Sequence, residues 1–185
     1  LESQEVVPEN GATAYDDSLV NLAAGAIWRL TDSWRTALNI TSTNRHPSAA
    51  ELYADGPHLA VSRFEIGDET LREERANTLD LSLRYQGGGS AFSITAYVAD
   101  YTDYIYANPT NEIEDGLPVV RFVQEDARFL GLEAEWRLPE FTLGNGKLDT
   151  RFVADLTRGE LDAGGDLPQI PPVRFGAELR YAFAR

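Results

Sequence analysis

Between Asn77 and Tyr85 the chain sets Asn77, Leu79, Leu81, Leu83 and Tyr85 on one face and Thr78, Asp80, Ser82 and Arg84 on the other. A period of two is the pattern of a β-strand with one apolar face. It recurs in about seven stretches. Ser18 to Leu30 presents Val20, Leu22, Ala24, Ala26, Trp28 and Leu30, and Trp34 to Thr41 presents Trp34, Thr36, Leu38 and Ile40. A fourth stretch, reaching about Tyr104, carries Phe92, Ile94, Ala96 and Val98. The fifth, Val119 to Arg137, ends on Leu130, Leu132, Ala134 and Trp136. Phe129 breaks its phase, which predicts a bulge or a change of environment there. Lys147 to Thr157 repeats the pattern with Leu148, Thr150, Phe152, Ala154 and Leu156. Phe175, Ala177, Leu179, Tyr181 and Phe183 close the set.

The connections alternate in length. Thr31-Asp32-Ser33, Gln86 to Ser90, and 138–146 with Gly144-Asn145-Gly146 are short and rich in turn formers. Residues 42–76, 107–118 and 158–172 are long and polar, and all fall at the opposite end. Residues 1–17 read as a loop with five acids and no base. Inside the first long connection Ser48 and Glu51 have capping-box spacing, which predicts a short helix from Ser48 to Ala54. Residues 69–76 read as a solvated connection. The whole is an all-β, antiparallel up-and-down meander.

An apolar sheet face needs a cover, and no amphipathic helix here is long enough to supply one. A second sheet would make a soluble β-sandwich, a binding or adhesion module. Lipid would make a barrel wall. No apolar run approaches the ~20 residues of a transmembrane helix, but a transmembrane strand needs only ~9–11 with one apolar face. Trp28, Trp34, Tyr85 and Trp136 gather at the short-turn end, as an interfacial aromatic girdle would. The opposite face holds Asp80, Arg84, Glu133, Glu135, Asp149, Arg151, Asp155, Glu178 and Arg180, a mixture that suits a wet lumen.

A net charge of −14 on 185 residues argues against nucleic-acid binding, which calls for a basic footprint. The absence of Cys excludes a disulfide framework and thiolate metal sites. No enzyme activity is expected. Only His46 and His58 could serve as an imidazole base, and no Gly-x-Ser-x-Gly elbow occurs.

Asn44 to Tyr53, reading Asn-Arg-His-Pro-Ser-Ala-Ala-Glu-Leu-Tyr, resembles a signature of the TonB-dependent outer-membrane receptors. Gly67 to Glu74 leading into Asn77 to Tyr85 is similar to the element that follows it in that family. Tyr101 to Ile105, Ala127 to Ala134 and Leu167 to Pro172 resemble later elements, in the family's order. The resemblance covers about residues 30–181. It implies one sector of a transmembrane barrel with about 22 strands, in the outer membrane of a Gram-negative bacterium. The family's plug domain and its other strands are absent from residues 1–185, which therefore read as a fragment of the barrel domain. The start at Leu1 and the lack of Met point the same way. The resemblance implies a receptor that captures a scarce nutrient, a metal ion or metal chelate, and passes it inward using TonB-coupled energy. Its partners would be outer-membrane lipid, the plug domain and TonB. Open sheet edges also invite pairing of the fragment with a second copy.

Within the family, Asp55 to Ala60 with Phe64 to Gly67 resembles the branch that includes zinc-uptake receptors. Asp55, His58, Glu65 and Asp68 lie within fourteen positions on one loop. Imidazole with carboxylates suits Zn²⁺, so these four are the candidate metal ligands. Zn²⁺ or a ferric siderophore would be cargo, with no resident cofactor. His46, beside Pro47, reads as structural.

Overall fold

The computed structural model describes residues 18–183. In chain order its elements are β1 (Leu22–Arg29), β2 (Trp34–Arg45), α1 (Ala49–Tyr53), β3 (Asp55–His58), β4 (Arg63–Ile66), β5 (Glu74–Gly87), β6 (Ser90–Glu114), β7 (Leu117–Arg137), β8 (Phe141–Leu143), β9 (Gly146–Leu161) and β10 (Arg174–Phe183). All ten strands belong to one open sheet. Its main path is β1-β2-β5-β6-β7-β9-β10, each strand antiparallel to the next.

The register locks the apolar positions of neighbouring strands together. Trp34, Tyr85, Phe92, Trp136 and Phe152 form one row across β2, β5, β6, β7 and β9. The Trp34 and Tyr85 rings lie 4.9 Å apart and the Trp136 and Phe152 rings 6.3 Å apart. Two rungs on, Leu38, Leu81, Ala96, Leu132 and Leu156 form another row. The band stops at Ser42, Asn77, Asp100, Arg128 and Glu160. From Tyr85 to Leu79 it spans about 20 Å along the strand. A one-residue slip would turn every one of these side chains over, so the pattern itself fixes the pairing.

None of the described residues covers this face. Leu81 is 53% exposed and Phe175 82%. The buried core lies at the long-loop end instead. There Leu52, Leu71 and Ile105 cluster, with Tyr53 and Phe122 packed against them.

The short turns follow their residues. Gly88 and Gly89 both take positive φ, 58° and 78°, as a two-residue type I′ hairpin turn requires. Asp115 and Gly116 do the same at 51° and 77°. The second turn corrects the expectation of a loop at 107–118. β6 and β7 pair almost to that tip, taking in Pro109 opposite Val120 and Pro118 opposite Ile113. Pro lacks the N–H a central ladder needs. The ladder accommodates the pair with an irregularity between Pro109 and Ile113.

Other boundaries shift as well. β2 runs on to Arg45, β5 starts at Glu74 and β9 reaches Leu161, while β1 starts at Leu22. β3, β4 and β8 add three short strands to the expected seven. The phase break anticipated at Phe129 is in β6, where Thr102 and Asp103 face the single residue Asp126. β7 stays regular through Phe129. The bulge keeps Tyr101, Tyr104 and Phe129 on one side, with ring centroids 4.9 to 5.2 Å apart. The loop expected at 1–17 lies outside the described residues.

Candidate functional site

The connection 46–73 is a strap rather than a loop. It leaves β2, packs Leu52 and Leu71 with Ile105 of β6, and lays β4 parallel to β7 at Phe64–Val119, Glu65–Val120 and Ile66–Arg121. β3 then pairs outside β4. Ser48 caps α1 with both halves of the expected capping box present.

An arginine clasp ties the strap down. The Arg45 Nη1 and Nη2 donate to Glu51 at 2.8 and 3.1 Å, and its Nε and Nη2 donate to Glu74 at 3.1 and 3.0 Å. Planar guanidinium suits this double fork and lysine would not. Glu51 also accepts the Ser48 backbone N–H at 2.7 Å. Glu74, 8% exposed, accepts the Ile105 backbone N–H at 2.9 Å. One guanidinium thus couples helix, strand β5 and strand β6. Further along, Gly67 lies against the backbone of Leu52 and Tyr53, where an added Cβ would meet atoms 2.6 and 2.7 Å away.

Burial would raise the carboxyls of Glu51 and Glu65. Hydrogen bonds from Arg45 and Ser48 outweigh it for Glu51, and those from His58 and Arg63 outweigh it for Glu65, so both are held below the ordinary range. A depressed folded-state value contributes stability above the unfolded value, about 4.3, and loses it as pH falls through the folded value. The strap is therefore expected to stay closed from pH 7 to 5 and to open below about pH 4. Amide exchange of residues 48–67, corrected for intrinsic rate, reads this. Constant protection down to pH 3 would count against the clasp.

The four residues singled out as metal ligands are only partly brought together. His58 Nδ1 lies 3.0 Å from Glu65 Oε1. Arg63 Nε donates to that same oxygen at 2.7 Å, so a cation already occupies it. Asp55 pairs with Ile66, one rung out of phase with the Gly56–Glu65 and His58–Arg63 pairs. Alternation along a strand then puts Asp55 on the other face. Asp68 closes its own turn, accepting from the Thr70 N–H and hydroxyl at 2.8 and 2.6 Å. Hydrogen bonds from Thr70 hold its carboxyl below the ordinary range. Among the described residues no three His, Cys, Asp or Glu side chains converge as a metal site.

Sequence reasoning missed the Arg45–Glu51–Glu74 clasp. Its signal was an arginine two residues before Pro47, with acids at 51 and 74. Across β7, β9 and β10 several ion pairs lie on the polar face. Arg151 meets Glu135 at 2.7 Å, Arg174 meets Asp155 at 2.8 Å and Arg180 meets Glu178 at 2.8 Å.

A family model described as TonB dependent receptor-like, beta-barrel matches residues 2–185. Among solved structures, a copper transporter, OprC, superposes with a TM-score of 0.72 at 21% identity, over 96% of this chain and 26% of that one. The siderophore receptor PirA from Pseudomonas aeruginosa gives 0.52 at 16%, over 76% of this chain and 30% of that one. The FpvAI chain from a complex with pyocin S2 gives 0.57 at 11%, over 94% and 22%. At these identities the likeness is one of fold. The chain spans between 22% and 30% of the length of these structures.

Proposed function

The chain belongs to the TonB-dependent receptor β-barrel family, and from that premise we propose that it is one sector of an outer-membrane receptor wall that serves capture and uptake of a metal ion or metal chelate. The observation that carries this reading is the apolar face, continuous in register across β2, β5, β6, β7 and β9 and uncovered among the described residues. Lipid is the cover that demands no further layer of protein. Strands missing from the sector would pair with the free edges of β1 and β10, and TonB-coupled energy would act on the whole receptor.

Cargo would be met at the long-loop end, by the strap and the β6–β7 hairpin that rise past the apolar band. That the fold is shared with a copper transporter and a siderophore receptor supports a metal cargo. Of the loop quartet, the contact between His58 and Glu65 supports these two as the pair that would meet it.

The test is metal accumulation in cells carrying the receptor that contains this sector, supplied in turn with Zn²⁺, Cu²⁺ and ferric siderophores. At least one should accumulate above cells lacking the receptor, and replacing residues 55–66 by a short Gly-Ser turn should abolish it. His58→Ala should weaken uptake several-fold, whereas Asp55→Asn should leave it unchanged. Accumulation of none of them would refute a metal cargo.

A further inference from the structure

We infer that the polar face carries an oxyanion site at its short-turn end, built on Arg35 and Arg84 with Arg29 beside them on the neighbouring strand. The register places these three arginines side by side on β1, β2 and β5, Arg29 opposite Arg35 and Arg35 opposite Arg84. Adjacent strands lie about 4.8 Å apart, so three guanidinium stems share a strip about 10 Å wide. Like charges set directly opposite one another in a sheet are destabilising. Elsewhere on this face the arginines have a carboxylate at hand: Arg151, Arg174 and Arg180 each meet one, and Arg137, opposite Arg151, has Glu135 beside it. Among the described residues, Arg29, Arg35 and Arg84 form no ion pair. The row stands out further in a chain whose net charge is −14.

A cavity of about 340 Å³ supplies the second, independent observation. Arg35 and Arg84 line it together with Ser33, Gln86, Ser93 and Glu135. Two hydroxyls and an amide add donors beside the guanidiniums. The one acid on the wall, Glu135, is already engaged by Arg151 at 2.7 Å, so its charge is neutralised locally. The volume lies at the lower end of small-molecule sites. Guanidinium forks match carboxylate and phosphate oxygens in pairs. The occupant is therefore a small solute bearing carboxylate or phosphate groups. This rests on the reading of the polar face as a wet lumen, and it gives that lumen a binding step for anions near the short-turn end.

The test uses the full chain in lipid nanodiscs, with inorganic phosphate and citrate as probes. Calorimetric titration should show saturable binding of at least one of them, weakening as salt rises. The double variant Arg35→Gln/Arg84→Gln should lose at least about tenfold in affinity, the scale of removing charge-assisted hydrogen bonds. Phenylglyoxal labelling of the unmutated chain, read by mass spectrometry, needs no variant. Bound probe should protect Arg35 and Arg84 but not Arg121, which lies at the far hairpin. No binding at 10 mM probe, on the order of ten-thousandfold weaker than a micromolar site, would overturn the proposal. So would equal labelling with and without probe. Quenching of Trp136 by brominated lipid in the same sample reports separately on the wall reading, so failure of one can be told from failure of the other.

Discussion

Arg45→Met is expected to open the strap, raising amide exchange at Ile105 and across residues 48–67 by roughly 30- to 150-fold, or about 2–3 kcal/mol. The reason is what the substitution leaves behind. Glu74 is 8% exposed, and without Arg45 it keeps only the Ile105 N–H among its neighbours in the clasp. An unpaired buried carboxylate costs more than the pair contributed, because desolvation is no longer offset. The Arg45 side chain is itself 41% exposed, which places the cost below the usual figure for a fully buried pair. Methionine keeps much of the aliphatic stem, so the loss reports on charge rather than on packing. Adding Glu74→Gln should restore part of the protection, because the residues are directly coupled. Unchanged exchange in Arg45→Met would remove the clasp as the fastening of the strap.

The second large effect concerns the apolar face. Leu132 sits near the middle of the band, between Ala96 and Leu156 on neighbouring strands. In a bilayer, Leu132→Arg should destabilise the sheet by about 2–4 kcal/mol, the cost of an arginine near the lipid midplane. Thr95 lies opposite Glu133 on the other face. Thr95→Arg should therefore change stability by no more than about 0.5 kcal/mol. Urea unfolding of both variants in phospholipid vesicles makes the comparison. Equal effects would mean that the two faces see the same medium.

Alternation was enough to find the seven long strands, because each has one face that must be apolar and one that need not be. It was not enough for β3, β4 and β8, which are three or four residues long and show no period. β4 is held by long-range pairing with the edge of β7 and carries β3 with it, while β8 is the short arm of a local hairpin with β9. Pro109, Asp115-Gly116 and Pro118 read as a loop, yet the ladder closes around them because the hairpin needs only two residues to turn. The capping box at Ser48 and Glu51 was fully legible, since both partners lie within one helical turn.

The metal quartet shows the limit of local reading. Asp55, His58, Glu65 and Asp68 are close in sequence, but the β3–β4 register decides which side chains share a face. It joins His58 to Glu65, turns Asp55 away and brings in Arg63, a cation that a search for metal ligands passes over. The arginine row at Arg29, Arg35 and Arg84 was invisible for the same reason. Its members are six and 49 positions apart along the chain and adjacent only across strands.

The chain has no cysteine, so single cysteines can be placed from Asn77 to Tyr85 and spin-labelled without background. Collision with oxygen, which concentrates in lipid, is compared with collision with a water-soluble nickel chelate. Labels at 79, 81 and 83 should favour oxygen and labels at 78, 80, 82 and 84 the chelate, in strict alternation. Uniform access to the chelate at all of these positions, or the opposite phase, would contradict a barrel wall with its leucines in lipid.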